Sequence, residues 1–240
     1  MATATAARGE LKSVNPFNGE LLKTYPEMSP EEVDAAIATA DQAFRAWRET
    51  SFEHRAGILR RAAELLRERR DELATIMTLE MGKKIEDARP EIDLCARIFD
   101  YYAENGEEIL APKEYDTEEG KGTLVHQPVG IIYGIQPWNF PFYQPSRVAA
   151  PQLMAGNVVL TKHASNVPQC AEAFDKVLKD AGVPEGVHTN LQLSARNAGS
   201  IIDDDRVQGV AFTGSNKGGA AVAEQAGRWY VPRLMTPGRV

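Results

Sequence analysis

The sequence predicts an α/β protein whose N-terminal part is helical, and two observations carry that prediction. Up to about residue 111, apolar residues recur every three or four positions, the period of amphipathic helices. From about residue 112, short β-branched runs alternate with helical patterns, the arrangement of a parallel sheet wound with helices. The expected organisation is a helical segment over 1–111, an α/β part over 112–228 and a tail over 229–240 that continues neither pattern.

The elements follow in order. Ser29-Pro30-Glu31-Glu32 opens the first helix: serine caps, proline suits the first helical position, and Glu32 completes a capping box. Val33, Ala36, Ile37, Ala40, Phe44 and Trp47 then repeat at helical spacing. A second helix has Thr50 and Glu53 as its box. Its apolar face is Ile58, Leu59, Ala62, Leu65, Leu66, Leu73, Ile76 and Met77, and Gly82 stops it. A third carries Ile85, Ala88, Ile92, Cys95, Phe99 and Tyr102 on one stripe. Pro90 bends that helix or marks its start, and Asn105-Gly106 ends it. Beyond it, GTLVHQPVGIIYGI (122–135), NVVLT (157–161), HTNLQL (188–193) and VQGVAFTG (207–214) read as extended chain. Helical patterns fill the gaps. One runs from Tyr143 to Ala155. Another puts Cys170, Phe174, Val177 and Leu178 on one face before Gly182. A short one covers 196–203, and an alanine-rich one begins at Ser215.

Bulk composition excludes several functions. The 240 residues are 43% hydrophobic and 25% charged with a net charge of −7, ordinary for a globular protein and without a basic stripe for nucleic acid. The arginines from Arg55 to Arg70 are interleaved with Glu64 and Glu68 and read as a solvated helix face. Two cysteines make no disulfide framework, and four histidines show no metal-ligand spacing. The N-terminal MATATAARGE has no apolar signal-peptide core. The stretch Gly122 to Ser146 lacks charge, but its four prolines forbid one unbroken membrane-spanning helix. A cytoplasmic chain with no membrane or nucleic-acid partner is expected.

Three segments follow strands, where open α/β sheets bind ligands. IQPWNFP places Asn139 between Pro137 and Pro141, although a core has no use for an amide there. TKHAS places Lys162 just past a buried-looking strand. That lysine reads as a contact for a ribose hydroxyl or phosphate, or as an ordinary surface lysine; His163 reads as a packing or polar-rim residue. FTGSNKGG is a glycine turn entering a helix at Ser215, which suits an anion, or is simply a Gly-rich turn. The G-x-G-x-x-G dinucleotide fingerprint is absent.

Taken together these segments resemble the aldehyde dehydrogenase superfamily over about residues 12–228. The resemblance rests on NPFNGE (15–20), LEMGKKIEDARPEI (79–92) with its E-x-G-K element, GIIYGIQPWNFPFYQPSRVAAPQLMAGNVVLTKHAS (130–165) and VAFTGSNKGG (210–219). The details are most similar to the succinate-semialdehyde dehydrogenase branch. The resemblance implies a partial doubly wound, dinucleotide-binding sheet that takes NADP or NAD, an aldehyde substrate, and homo-oligomeric relatives. It implies that Asn139 donates its amide to the aldehyde oxygen as that oxygen gains charge. It implies that Trp138 lines the nicotinamide end, that Lys162 with His163, Ala164 and Ser165 meets the adenosine ribose, and that Gly214 and Ser215 approach the diphosphate. Ser165 stands where many NAD-preferring members have glutamate, so a 2′-phosphate is not repelled. His163 stands where the family usually has proline. Arg147 lies where members acting on carboxylated aldehydes place an arginine for the distal carboxylate, or is a helix-surface arginine.

The family also uses a cysteine nucleophile in G-Q-x-C and a general-base glutamate in E-L-G-G. Neither motif occurs in these residues. Cys95 and Cys170 lie on apolar helix faces without those neighbours. The expectation is a chain holding the N-terminal portion of a dehydrogenase, without its catalytic domain and ending in a non-family tail such as a frameshift would leave. It would bind NAD(P) at most; the alternative is a non-enzymatic partner subunit or an unstable fragment.

Overall fold

The computed structural model describes residues 9–228 and 233–237. The first element is not helical. Strands β1 (Glu10–Val14) and β2 (Leu21–Pro26) form an antiparallel hairpin at the start of the segment expected to be helix. NPFNGE is its turn: Phe17 N–H donates to Asn15 Oδ1 and Glu20 N–H to Asn18 Oδ1, each at 3.0 Å. Only Leu11 and Ser13 of β1 are buried, and that pattern is too short to register as periodicity.

Helix α1 (Pro30–Trp47) begins with the expected capping box, Ser29 and Glu32 bonding reciprocally. The long second helix divides at Arg69 into α2 (Phe52–Glu68) and α3 (Arg70–Met81). Arg69 leaves helical geometry (φ −101°, ψ 15°) and its side chain pairs with Asp180 at 2.6 Å. The cap of α2 is Ser51, which accepts from His54 N–H, because the Thr50 hydroxyl is turned back onto the Trp47 carbonyl. Gly82 stops α3 in the left-handed region (φ 77°), a conformation that favours glycine.

Helix α4 (Ile85–Ile109) starts before Pro90 and runs through Asn105-Gly106 instead of ending there. Gly106 serves close approach: a Cβ on it would collide with Met154 Cγ on the neighbouring helix. Strands β3 (Lys113–Thr117) and β4 (Gly120–Leu124) form a second, solvent-exposed hairpin.

The parallel sheet contains β5 (Ile131–Ile135), β6 (Val158–Lys162), β7 (His188–Asn190), β8 (Val207–Gly214) and β9 (Arg233–Pro237), in the order β7-β6-β5-β8-β9. The connecting helices are α5 (Tyr143–Ala155), α6 (Pro168–Asp180) and α7 (Asn216–Arg228). The pattern expected over 196–203 is a 3-10 turn at Gly199–Ile201. The expected tail does not stay outside the fold, since Arg233–Pro237 pairs in parallel with Val210–Gly214. Without it β8 would present a bare edge. The calls on 229–232 and 238–240 lie outside the described residues.

Every residue of β6 is buried, so both faces of the sheet are covered there. Helix α1 packs on β5, β6 and β7, while α2 and α4 pack over α5. The helical part and the sheet share one continuous apolar core. The helical part also closes the ends of the sheet helices. Trp47 Nε1–H and Arg55 Nε–H donate to the last carbonyls of α5, on Leu153 (3.2 Å) and Met154 (2.9 Å). Arg55 is therefore buried, an exception to the solvated arginine face. At the other ends sit two buried carboxylates. Glu91 Oε1 accepts from Phe142 N–H and Tyr143 N–H at the start of α5, both at 3.0 Å. Glu80 accepts from Gln169 N–H (2.8 Å) and Cys170 N–H (2.7 Å) at the start of α6.

Candidate functional site

The chain leaves β5 for β6 and β7 on one side and returns to β8 and β9 on the other. The reversal lies between β5 and β8, and a crevice forms beyond the strand ends at such a point. The three segments singled out in the sequence come together here. Ile135 pairs with Lys162 on one side and Phe212 on the other. The loop after β5 starts against the lysine, with Gln136 N–H donating to Lys162 O at 2.9 Å.

Trp138 and Asn139 stand at the tip of that loop, Trp138 half exposed. The Asn139 amide faces solvent and makes no hydrogen bond among the described residues, so its donors are unspent. Phe140 lies beneath Lys83 Nζ, 3.7 Å from the ring centroid, and edge-on to Tyr143. Arg147 is half-buried on α5, with its guanidinium 5.9 Å from the Tyr143 ring.

Lys162 is 5% exposed. Burial pulls its ammonium below the usual lysine range, partly offset by the charge of Glu27. No ion pair to Lys162 forms among the described residues, so its buried charge is balanced only by the more distant Glu27. Glu27 is held by Ser194 N–H and Asn197 Nδ2–H, each at 2.7 Å, and it also feels the charge of Arg196. His163 is not at the rim. It is buried, and its Nε2 lies 2.9 Å from Pro141 O. Ala164 and Ser165 are partly exposed beside it.

Gly214 and Ser215 form the turn from β8 into α7. Ser215 Oγ accepts from Gly218 N–H at 3.2 Å and caps the helix. The glycines here make room for a ring, since a Cβ at Gly214 or Gly218 would come within 2.6 or 2.9 Å of Phe212 Cζ. Of the three helices that start at this edge, α5 and α6 have their N-termini filled by Glu91 and Glu80. The N-terminal turn of α7 is exposed at Ser215, Asn216 and Lys217 and remains open to an external anion.

Both cysteines are buried. Burial pushes the Cys95 thiol far up, and burial together with the Glu80 charge does the same to Cys170. Neither offers a thiolate to the crevice. Sequence reasoning quoted Glu80, Lys83 and Glu91 only within the LEMGKKIEDARPEI stretch and gave none of them a role. The signal was a charged residue on a buried stripe: Glu91 falls between Ala88 and Cys95 on the apolar face of α4. No described helix is long and apolar enough to cross a membrane.

Residues 3–237 match the aldehyde dehydrogenase family, a span that takes in β9. The chain is 48% identical over 216 residues to a succinate-semialdehyde dehydrogenase [NADP(+)] of Deinococcus radiodurans, covering 90% of this chain and 45% of the relative. It is 40% identical over 215 residues to the succinate semialdehyde dehydrogenase [NAD(P)+] Sad of Escherichia coli, covering 90% of this chain and 46% of that one. The crystal structure of succinic semialdehyde dehydrogenase from Streptococcus pyogenes in complex with NADP+ superimposes with a TM-score of 0.92 at 37% identity. That match covers 95% of this chain and 50% of the other. The chain thus spans about half the length of the relatives it matches.

Proposed function

The chain belongs to the aldehyde dehydrogenase family, and from that premise we propose that these residues form the NAD(P)-binding portion of an enzyme that oxidises succinate semialdehyde. They bind the cofactor and carry the oxyanion-donating loop. They do not carry the nucleophile.

One observation carries this reading. The Asn139 loop, the end of β6 that carries Lys162 and the turn from β8 into α7 adjoin at the reversal point of a single sheet. The donor set suits a dinucleotide. Lys162 offers a positive charge, only partly offset by Glu27, for a ribose hydroxyl or a 2′-phosphate. The first turn of α7 offers N–H groups for a diphosphate. Trp138 offers an exposed aromatic face for the nicotinamide end. When bound, the nicotinamide supplies the electron acceptor. The protein's own share is Asn139, whose amide is placed to stabilise negative charge on an aldehyde oxygen. Ser165 adds no carboxylate near the lysine, so NADP is accommodated; the relatives whose names specify NADP support this.

Calorimetric titration of the folded chain with NADP+ and NAD+ tests the reading. Saturable binding that Lys162→Met weakens is expected. A folded sample that takes up neither cofactor at millimolar concentration overturns it.

A further inference from the structure

The tip of the crevice loop is exposed, yet both of its flanks are anchored by buried side chains from elsewhere in the chain. The Gln136 N–H is fixed on Lys162 O. On the far side, Pro141 O meets His163 Nε2 at 2.9 Å. Phe142 and Tyr143 give their N–H groups to Glu91 Oε1 at 3.0 Å. The other Glu91 oxygen is paired with Lys83 Nζ, and that ammonium also sits over the Phe140 ring. Glu91 and His163 are each 4% exposed. Only Pro137, Trp138 and Asn139 lie between the anchors, and Pro137 and Pro141 each fix one backbone angle.

We infer that Glu91, Lys83 and His163 are positioning residues that hold the Gln136–Tyr143 loop rigid before any ligand arrives, so that Asn139 is aimed by groups it does not touch. This rests on the proposed function for what Asn139 does, but not for whether the loop is held. Lys83 lies in the E-x-G-K element, whose glycine ends α3 and turns the lysine toward Glu91. His163 adds an anchor that a proline there could not make. Pro141 O can only accept, so Nε2 carries the proton. Nδ1 is left buried without a partner, and the orientation is kept despite that cost. The neutral imidazole suits this donor role, since burial lowers its pKa to about 4. A donor that stabilises developing charge is effective only if it needs no reorganisation at the moment of reaction, and misplacement of about 1 Å can cost on the order of 100-fold.

The test compares the chain with Glu91→Ala, Glu91→Gln, Lys83→Met and His163→Ala. Affinity is measured for NADP+ and for 2′-phospho-ADP-ribose, which lacks the nicotinamide ring. Backbone order parameters of Trp138 and Asn139 are measured without ligand. Rigid backbone gives about 0.85 and flexible backbone below about 0.6. Glu91→Ala, Lys83→Met and His163→Ala should each move the tip toward the flexible value while β6 stays rigid. All three should weaken NADP+ by roughly tenfold, equivalent to about 1.4 kcal/mol, while Glu91→Ala and Lys83→Met, which lie outside the TKHAS segment, leave 2′-phospho-ADP-ribose within about twofold. Glu91→Gln retains an acceptor for the two N–H groups and should restore most of both. Unchanged order at the tip in all three variants overturns the inference. So does loss of order across the whole sheet, or equal loss of both ligands in Glu91→Ala and Lys83→Met. If the unaltered chain binds neither ligand, the proposed function fails, and the order parameters still decide the positioning.

Discussion

Glu80 Oε2 accepts the backbone N–H of Cys170 at 2.7 Å, from ninety positions away in the chain. With the companion bond from Gln169 N–H, it closes the N-terminus of α6 with a buried charge. Removing it strands one buried and one half-buried donor. Glu80→Ala should destabilise the fold by about 3 kcal/mol, and Glu80→Gln by roughly half that. Denaturant unfolding measures both. A Glu80→Ala protein as stable as the parent would show that water replaces the carboxylate at no cost.

The thiol beside that carboxylate is expected to be inert. Cys170 and Cys95 are buried with their thiols pushed up, so a disulfide reagent should modify neither at neutral pH until the chain unfolds. Incubation with succinate semialdehyde and NADP+ should give no steady formation of reduced cofactor. Turnover that vanishes on Cys170→Ser would refute this.

Stability should fall in mild acid through His163. Its folded pKa is about 4, against an ordinary 6.5. Above pH 6.5 neither the folded nor the unfolded state binds the proton, so this group adds no pH dependence. Between 6.5 and 4 the unfolded state takes the proton and the folded state does not, so stability drops as pH falls, by about 3 kcal/mol over the window. Urea unfolding from pH 7.5 to pH 4 reads the slope. His163→Gln should flatten the part of the slope due to this group, and an unchanged slope would count against a neutral buried His163.

Cofactor selection should turn on Ser165. A carboxylate there would face the 2′-phosphate beside Lys162, so Ser165→Glu should weaken NADP+ by roughly tenfold or more and NAD+ by much less. Lys162→Met should also cost NADP+ more than NAD+. Equal effects of Ser165→Glu on both cofactors would mean that residue 165 lies away from the ribose.

Close packing at Gly106 gives a test independent of any ligand. A methyl group there collides with Met154, so Gly106→Ala should cost about 1–3 kcal/mol despite alanine's better helix propensity. Thermal unfolding decides it, and a stabilised variant would place α4 farther from α5 than described.

What the sequence determined by itself was local and periodic. The Ser29 capping box, β8 over 207–214 and α5 over 143–155 appear where the pattern puts them, because caps, β-branched runs and apolar stripes are set by neighbours a few positions apart. Asn139, Lys162 and Ser215 were legible as strand-end residues for the same reason. Tertiary structure decided the rest. Two hairpins too exposed to show a stripe formed before and after the helices. The helix break fell at Arg69, which pairs with Asp180, and α4 ran on through Asn105-Gly106, where the glycine lets Met154 approach. Glu80 and Glu91 sit on buried stripes where an isolated helix would reject them. They are stable there only because the N-termini of α5 and α6, some fifty to ninety positions away, supply the N–H groups that replace water. Periodicity reports which face of a helix is buried, whereas what that face meets depends on the packing of elements distant in the chain.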